Sequence, residues 1–224
     1  GRRLKKKFNK PKSLISLENG ETILSRICRI LNENNINEII IVTGYKSELI
    51  KKLKIKNSKI KFFSRFSKTN NLQTLLSVKK MINGEFLCLF ADIVFDKNII
   101  KKIISLKKKD ILLAIRKKKI LKDTMRVRIK NKSIYEIGNQ VSVKNADGNF
   151  IGIAKFSSRG SKILKKYLIK SKNNTKDYYT EVLNAIVQET STKINFMDIK
   201  NSLWKEVDTE KDFNIVKSLK DNLN

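Results

Sequence analysis

An α/β fold with a mixed, mostly parallel sheet is expected for this chain, and three observations predict it. Short runs of wholly apolar residues, such as Ile39-Ile40-Ile41-Val42 and Phe86-Leu87-Cys88-Leu89-Phe90, suit strands buried on both faces. Segments with apolar residues at helical spacing alternate with these runs. One stretch, Met125 to Ile137, instead alternates with period two around Asn131-Lys132, as an inserted antiparallel hairpin would.

The elements follow in order. Thr22 to Asn35 places Ile23, Ile27, Ile30 and Leu31 on one face of a helix that ends in an asparagine-rich stretch. Ile39–Val42 is the next strand, closed by Thr43-Gly44, and Ser47 to Leu53 a short helix. Lys59 to Phe63 is a weaker strand, Asn71 to Ile82 a helix directing Leu72, Leu75 and Leu76 inward, and Phe86 to Phe90 a buried strand. Asp96 is placed to cap a helix carrying Ile99, Ile100, Ile103 and Ile104, before a strand over Ile111 to Ile115. After the hairpin, Phe150 to Phe156 returns to a buried strand in which Gly152 suggests close backbone approach. Helices are expected at about 160 to 170 and 178 to 189, with a strand near Lys193 to Met197. The Trp204 segment and a closing helix from about Glu210 complete the chain. No repeat or linker divides it, so residues 1–224 are expected to form a single domain with a substantial core.

Composition narrows the chemistry. Histidine is absent, which removes histidine general bases, serine-histidine triads and most transition-metal sites, and leaves oxygen-ligated Mg²⁺. Cys28 and Cys88 sit inside apolar periodic segments and read as small buried hydrophobes in a reducing compartment, the cytoplasm. No apolar run approaches the roughly 20 residues of a membrane span, so no membrane insertion is expected. The formal charge of +29 would ordinarily point to nucleic acid. Of the 50 basic residues, however, 41 are lysines scattered through every segment beside abundant Ile and Asn, and arginine stripes with interleaved aromatics are missing. Specific nucleic-acid binding is therefore not expected, although salt-sensitive adhesion to polyanions is. Nothing fixes the oligomeric state.

Two distant strand-like runs end in acids: Phe86–Asp92, and Leu203-Trp204-Lys205-Glu206-Val207-Asp208. Carboxylates delivered at strand ends suit a divalent metal site. At the start of the chain Gly1-Arg2-Arg3-Leu4 precedes a lysine-rich run and then Pro11-Lys12, which holds the single proline. Glycine N–H groups with cations behind them suit a triphosphate. In a doubly wound sheet such a glycine turn follows a buried first strand. An apolar strand and the first half of the glycine loop are therefore expected to belong before residue 1.

These pieces resemble a known family, the nucleotidyltransferases that join an NTP to a phosphorylated small molecule, and especially the cytidylyltransferases acting on phosphocholine, phosphonates and inositol phosphate. Gly1-Arg2-Arg3-Leu4 and Pro11-Lys12 match the second half of its opening signature. Ile39 to Tyr45, Thr69-Asn70-Asn71, Phe86 to Phe95, Asp147 to Phe156 and Trp204 to Asp212 follow in the family's order. Arg2 departs from the small Ser or Thr usual at its position. The resemblance implies a three-layer α/β/α Rossmann-like core and transfer of CMP from CTP, with Mg²⁺ as cofactor, to an acceptor such as phosphocholine, 2-aminoethylphosphonate or a polyol phosphate. It implies Lys12 on the α-phosphate or incoming phosphate and Arg3, with the Gly1 turn, on the β- and γ-phosphates. Asp92 and Asp208 would hold Mg²⁺ with Glu206 in support, and Thr43, Gly44, Thr69, Asn70 and Asn71 would meet the base and ribose.

For the acceptor, Asp177, Tyr178, Tyr179 and Glu181, with Trp204, are candidates for an aromatic and acidic cage around an amine. Arg126, Arg128 and Lys155 on the inserted strands are candidates to grip its phosphate. Two other readings compete. A sugar-1-phosphate nucleotidyltransferase using UTP, GTP or dTTP would share the core without the cage. A polyanion-binding module would gather its charge on one face and keep Asp92 and Asp208 far apart.

Overall fold

The structure is a computed structural model and describes residues 9–217. The chain divides into two compact units, one built from the segments through Ser64, Phe90–Lys102 and from Ser202 onward, the other from Arg65–Leu89 and Ile103–Asn201.

In the first unit, α1 (Ile23–Glu33) begins at Thr22, whose hydroxyl accepts from the Ser25 N–H at 3.1 Å. It buries Ile23, Leu24, Ile27, Cys28, Ile30 and Leu31, the face its spacing predicts. Strand β1 (Ile39–Thr43) pairs in parallel with β2 (Ser58–Phe62), with the short α2 (Ser47–Lys51) between them in sequence. Two three-residue strands, β4 (Ile93–Phe95) and β10 (Trp204–Glu206), pair antiparallel in the register Glu206↔Ile93 and Trp204↔Phe95. Helix α4 spans Asn98–Ser105, with Asp96 Oδ1 accepting from the Asn98 N–H at 2.8 Å, and α7 spans Glu210–Lys217. A single 3₁₀ turn at Lys12–Leu14 follows Pro11, whose φ of −55° suits the residue before a helical turn.

The second unit is built on a six-stranded sheet. Its strands are β3 (Phe86–Leu89), β5 (Ile111–Arg116), β6 (Arg126–Lys130), β7 (Ser133–Gly138), β8 (Gly148–Phe156) and β9 (Ile194–Asp198), in the order β3-β8-β5-β9-β7-β6. The expected hairpin is β6–β7, and both of its turn residues, Asn131 and Lys132, have φ of 50° and 60°, as a type I′ turn requires. The sheet is mixed as expected, with β5 and β9 parallel and antiparallel pairing reaching beyond the hairpin. The nine residues of β8, all buried, run against both β3 and β5, and its first residues also meet β6. Gly152 adopts φ +81° where the β5–β8 register shifts, so the glycine serves a bulge. Helices α3 (Asn71–Ser77), α5 (Ser158–Lys170) and α6 (Tyr179–Glu189) belong to this unit. Ser157 caps α5 at the Gly160 N–H and also donates to Asp110 at 2.9 Å. A Cβ at Gly160 would lie 1.9 Å from the Asp110 carbonyl oxygen, so only glycine allows this close approach.

Boundaries moved little from expectation. The helix after Asn71 stops at Ser77 rather than Ile82, and the strand expected over Phe86 to Phe90 is followed by a second short one, β4, with Asp92 in the break. No helix among the described residues is long and apolar enough to cross a membrane, and neither cysteine is in a disulfide.

Candidate active site

The acid-bearing segments meet within the first unit because β4 and β10 form one short ribbon. Glu206 stands opposite Ile93, and the Val207 N–H donates to the Asp92 carbonyl at 2.9 Å, which extends the ladder by one position. Asp92 lies in the turn just before β4, outside the strict alternation that would set it on the face opposite Glu206 and Asp208, so its side chain can turn toward theirs. One carboxylate oxygen from each of Asp92, Glu206 and Asp208 consequently lies within 4.8 Å of the others, the one such acidic group among the described residues.

Asp208 is available for this site because another residue caps α7. The Thr209 hydroxyl accepts from the Asp212 N–H at 3.3 Å, while the Asp212 carboxylate accepts from the Thr209 and Asp208 N–H groups at 2.9 and 3.1 Å. This reciprocal box satisfies the helix start. Burial pushes the Asp212 carboxyl up, but hydrogen bonds from Lys205 and Thr209 prevail and hold it below its ordinary value.

Lys12 completes the cluster. Its Nζ donates to Asp208 Oδ1 and lies 3.8 Å from Asp92 Oδ2. The loop that carries it is tied to the turn after β1: Lys46 Nζ donates to the Asn9 carbonyl at 2.7 Å and the Tyr45 hydroxyl to its side chain at 3.2 Å. Nothing in the sequence pointed to Asn9 as this anchor.

Among the described residues, three carboxylates stand around the single ammonium of Lys12. Burial, then the charges of Asp92 and Asp208, push the Glu206 carboxyl from 4.5 to about 8, against the pull of Lys12. Burial also raises Asp92, with Lys12 opposing and Asp208 reinforcing the shift. Hard oxygens on partly buried side chains with a net negative balance fit a divalent cation such as Mg²⁺.

A pH dependence follows. With chelator present, folded Glu206 binds its proton more tightly than the unfolded chain does, so its contribution is fully present below about 4.5 and is lost as pH rises through about 8. Glu206→Gln should therefore melt progressively higher than the parent as pH rises from 5 to roughly 9. Differential scanning fluorimetry reads this gap, and a gap that stays constant with pH contradicts the assignment.

The remaining candidates have varied placements. Gly1 and Arg3 lie outside the described residues. Thr43 is buried at the end of β1, with its hydroxyl 3.5 Å from the Lys61 carbonyl, and Gly44 follows it. In the second unit Thr69 donates to the Arg65 carbonyl, Asn70 to that of Lys176, and Asn71 Oδ1 accepts from the Tyr179 N–H at 2.8 Å. Asn70 and Asn71 thereby brace the segment that leads into α6. Arg126 is buried and donates to the Lys122, Val141 and Asn139 carbonyls, while Lys155, 3% exposed, donates to Ile104 and Leu106 and lies 3.4 Å from Glu85. Both guanidinium and ammonium thus hold backbone in place. Tyr179, edge-on to Phe150 at 6.3 Å, and Trp204 on β10 are buried in their respective units. Tyr178 and Glu181 stay half-exposed, and burial, with Asp177 nearby, raises the Glu181 carboxyl against a hydrogen bond from Asn184. Arg128 lies over the Tyr135 ring at 5.0 Å and 3.3 Å from Glu136.

Comparison with known proteins adds to this geometry. The fold is the mixed α/β, Rossmann-like nucleotidyltransferase fold. It superposes on the inositol-1-phosphate CTP transferase from T. maritima with a TM-score of 0.78, at 14% identity, covering 100% of this chain and 93% of that one. The CTP:phosphocholine cytidylyltransferase LicC from Streptococcus pneumoniae gives 0.76 at 16% identity, covering 93% and 89%. A UDP-glucose pyrophosphorylase gives 0.72 at 12% identity, covering 92% and 89%. In sequence, the bifunctional protein GlmU of Methanococcus vannielii is 31% identical over 93 residues, 42% of this chain. The chain spans about a fifth of the length of that relative, 22%. No protein-family model matches.

Proposed function

We propose that residues 1–224 constitute one Mg²⁺-dependent nucleotidyltransferase domain that transfers CMP from CTP to a small phosphorylated or phosphonate acceptor and releases pyrophosphate. The observation that carries this reading is the convergence of Asp92 with Glu206 and Asp208, which follow it by more than a hundred residues in sequence, beside the ammonium of Lys12.

In the reaction an acceptor oxygen attacks the α-phosphorus, the bond from that phosphorus to the bridging oxygen breaks, and pyrophosphate leaves with the electron pair. Two anions must be brought together, so positioning and charge neutralisation supply most of the acceleration, and no covalent residue is required. Asp92, Asp208 and Glu206 would hold the cation, which supplies charge neutralisation at the phosphates. Lys12 would place its charge on the α-phosphate or the incoming oxygen, on a loop braced by Asn9, Tyr45 and Lys46. Thr43 and Gly44, at the end of β1, would approach the nucleotide. Tyr178 and Glu181 would favour an acceptor with an amine, and Arg128 its phosphate. Two unpaired cysteines support a reducing compartment, the cytoplasm.

CTP and a phospho-alcohol are favoured because the two solved structures of highest similarity named above act on CTP with inositol phosphate or phosphocholine. The UDP-glucose pyrophosphorylase of the same fold supports the sugar-1-phosphate alternative. The polyanion reading required Asp92 and Asp208 to stand far apart, and they do not. A pyrophosphate-release screen of four NTPs with Mg²⁺ against phosphocholine, 2-aminoethylphosphonate, inositol phosphate and hexose-1-phosphates tests the reading. Release with CTP and a phospho-alcohol or phosphonate is expected. Release confined to UTP, GTP or dTTP with a hexose-1-phosphate transfers the reading to the alternative, and none with any pair overturns both.

A further inference from the structure

The ammonium of Lys12 already occupies one carboxylate oxygen of the cluster that a divalent cation would use. Its side chain is 11% exposed, it donates to Asp208 Oδ1, and it is 3.8 Å from Asp92 Oδ2. Asp208 Oδ1 cannot accept this proton along the same lone pair and also ligate a small hard cation at about 2.0–2.1 Å. Two positive charges in one partly buried carboxylate cluster also repel.

We propose that Lys12 and the divalent cation are mutually exclusive partners of Asp208, so that cation entry releases the Lys12 ammonium toward the arriving phosphate. The inference rests on the metal-site reading above and assigns Lys12 a second task in the cation-free protein.

The local structure suits such an exchange. Lys12 begins a single 3₁₀ turn rather than a long helix, and its flexible stem lets Nζ move while the backbone stays fixed through Asn9. The neighbouring carboxylate of Asp212 is already held by Lys205 at 2.5 Å and by Thr209. A released Lys12 therefore meets no vacant acid there. The exchange would order events: the lysine becomes available to a phosphate only once the acidic trio has its cation, and beforehand its ammonium offsets part of the trio's charge.

The test uses Mn²⁺ without nucleotide, followed by electron paramagnetic resonance of the free ion. Lys12→Met and Lys12→Gln should each bind Mn²⁺ on the order of tenfold or more tightly than the parent, because a competing positive charge is gone. Asp208→Asn should bind it more weakly. In the unaltered protein, acetic anhydride labelling of Lys12, mapped by mass spectrometry and normalised to surface lysines, should rise several-fold on adding Mg²⁺. Unchanged or weakened Mn²⁺ affinity in folded Lys12 variants, or unchanged Lys12 labelling, overturns the exchange. If Asp208→Asn weakens Mn²⁺ binding while those results hold, the exchange alone fails. If Asp208→Asn leaves Mn²⁺ affinity unaltered, the metal site fails and the exchange with it.

Discussion

Replacing Asp92 or Asp208 by asparagine is expected to lower pyrophosphate release by on the order of 10³-fold or more while leaving the fold intact, since on the proposed reading each change removes an anionic ligand of the divalent cation that would neutralise phosphate charge. The amide is nearly isosteric. The Val207 N–H to Asp92 carbonyl bond involves main chain and survives, and α7 keeps its Thr209–Asp212 cap. For Asp92→Asn the cation-free protein should melt at or above the parent, because the side chain lost is one whose ionisation burial and Asp208 already oppose. Turnover and circular dichroism melting on the same samples check both halves. Near-normal turnover with an intact fold removes the metal assignment.

Lys12→Ala carries the second large effect, a loss of about 10²-fold or more in turnover at saturating Mg²⁺ and CTP, as expected for removing one pre-organised charge partner of a transition state. The residue opposes two acids in the resting protein, so a purely structural role has to be separated from a chemical one. The separation comes from pairing two readouts. A structural lysine would lose turnover and metal affinity together. A lysine that serves the phosphates loses turnover while Mn²⁺ affinity rises. Turnover unchanged by Lys12→Ala excludes contact with the reacting groups.

How much of this was legible beforehand differs by residue, for physical reasons. Ile39–Val42 and Phe150–Phe156 read as strands because β-branched and aromatic runs of that length have few other stable homes, and Met125–Ile137 read as a hairpin because its period-two alternation is centred on Asn131-Lys132. Asp92, Glu206 and Asp208 were visible as acids at strand ends. The ribbon that unites it was not, since β4 and β10 are three residues each and too short to show a period. Asp208 and Thr209 both precede the last helix with side chains able to cap it, and the Thr209 hydroxyl and Asp212 take that task.

The acceptor side was least legible. Arg126 and Lys155 look in sequence like cations on alternating strands, ready for a phosphate. Both are buried against carbonyl oxygens, a placement that charge patterning does not encode because backbone acceptors carry no sequence signature. Tyr179 sits at helical spacing beside Tyr178, and spacing alone does not say which ring faces the core.

The most direct measurement is a crystal grown with MnCl₂ and a non-hydrolysable CTP analogue, examined by anomalous diffraction at the manganese edge. A peak bonded to carboxylate oxygens of Asp92 and Asp208, with Glu206 alongside and Lys12 turned to the phosphates, is predicted. Nucleotide bound with manganese elsewhere, and Lys12 still on Asp208, would contradict the account.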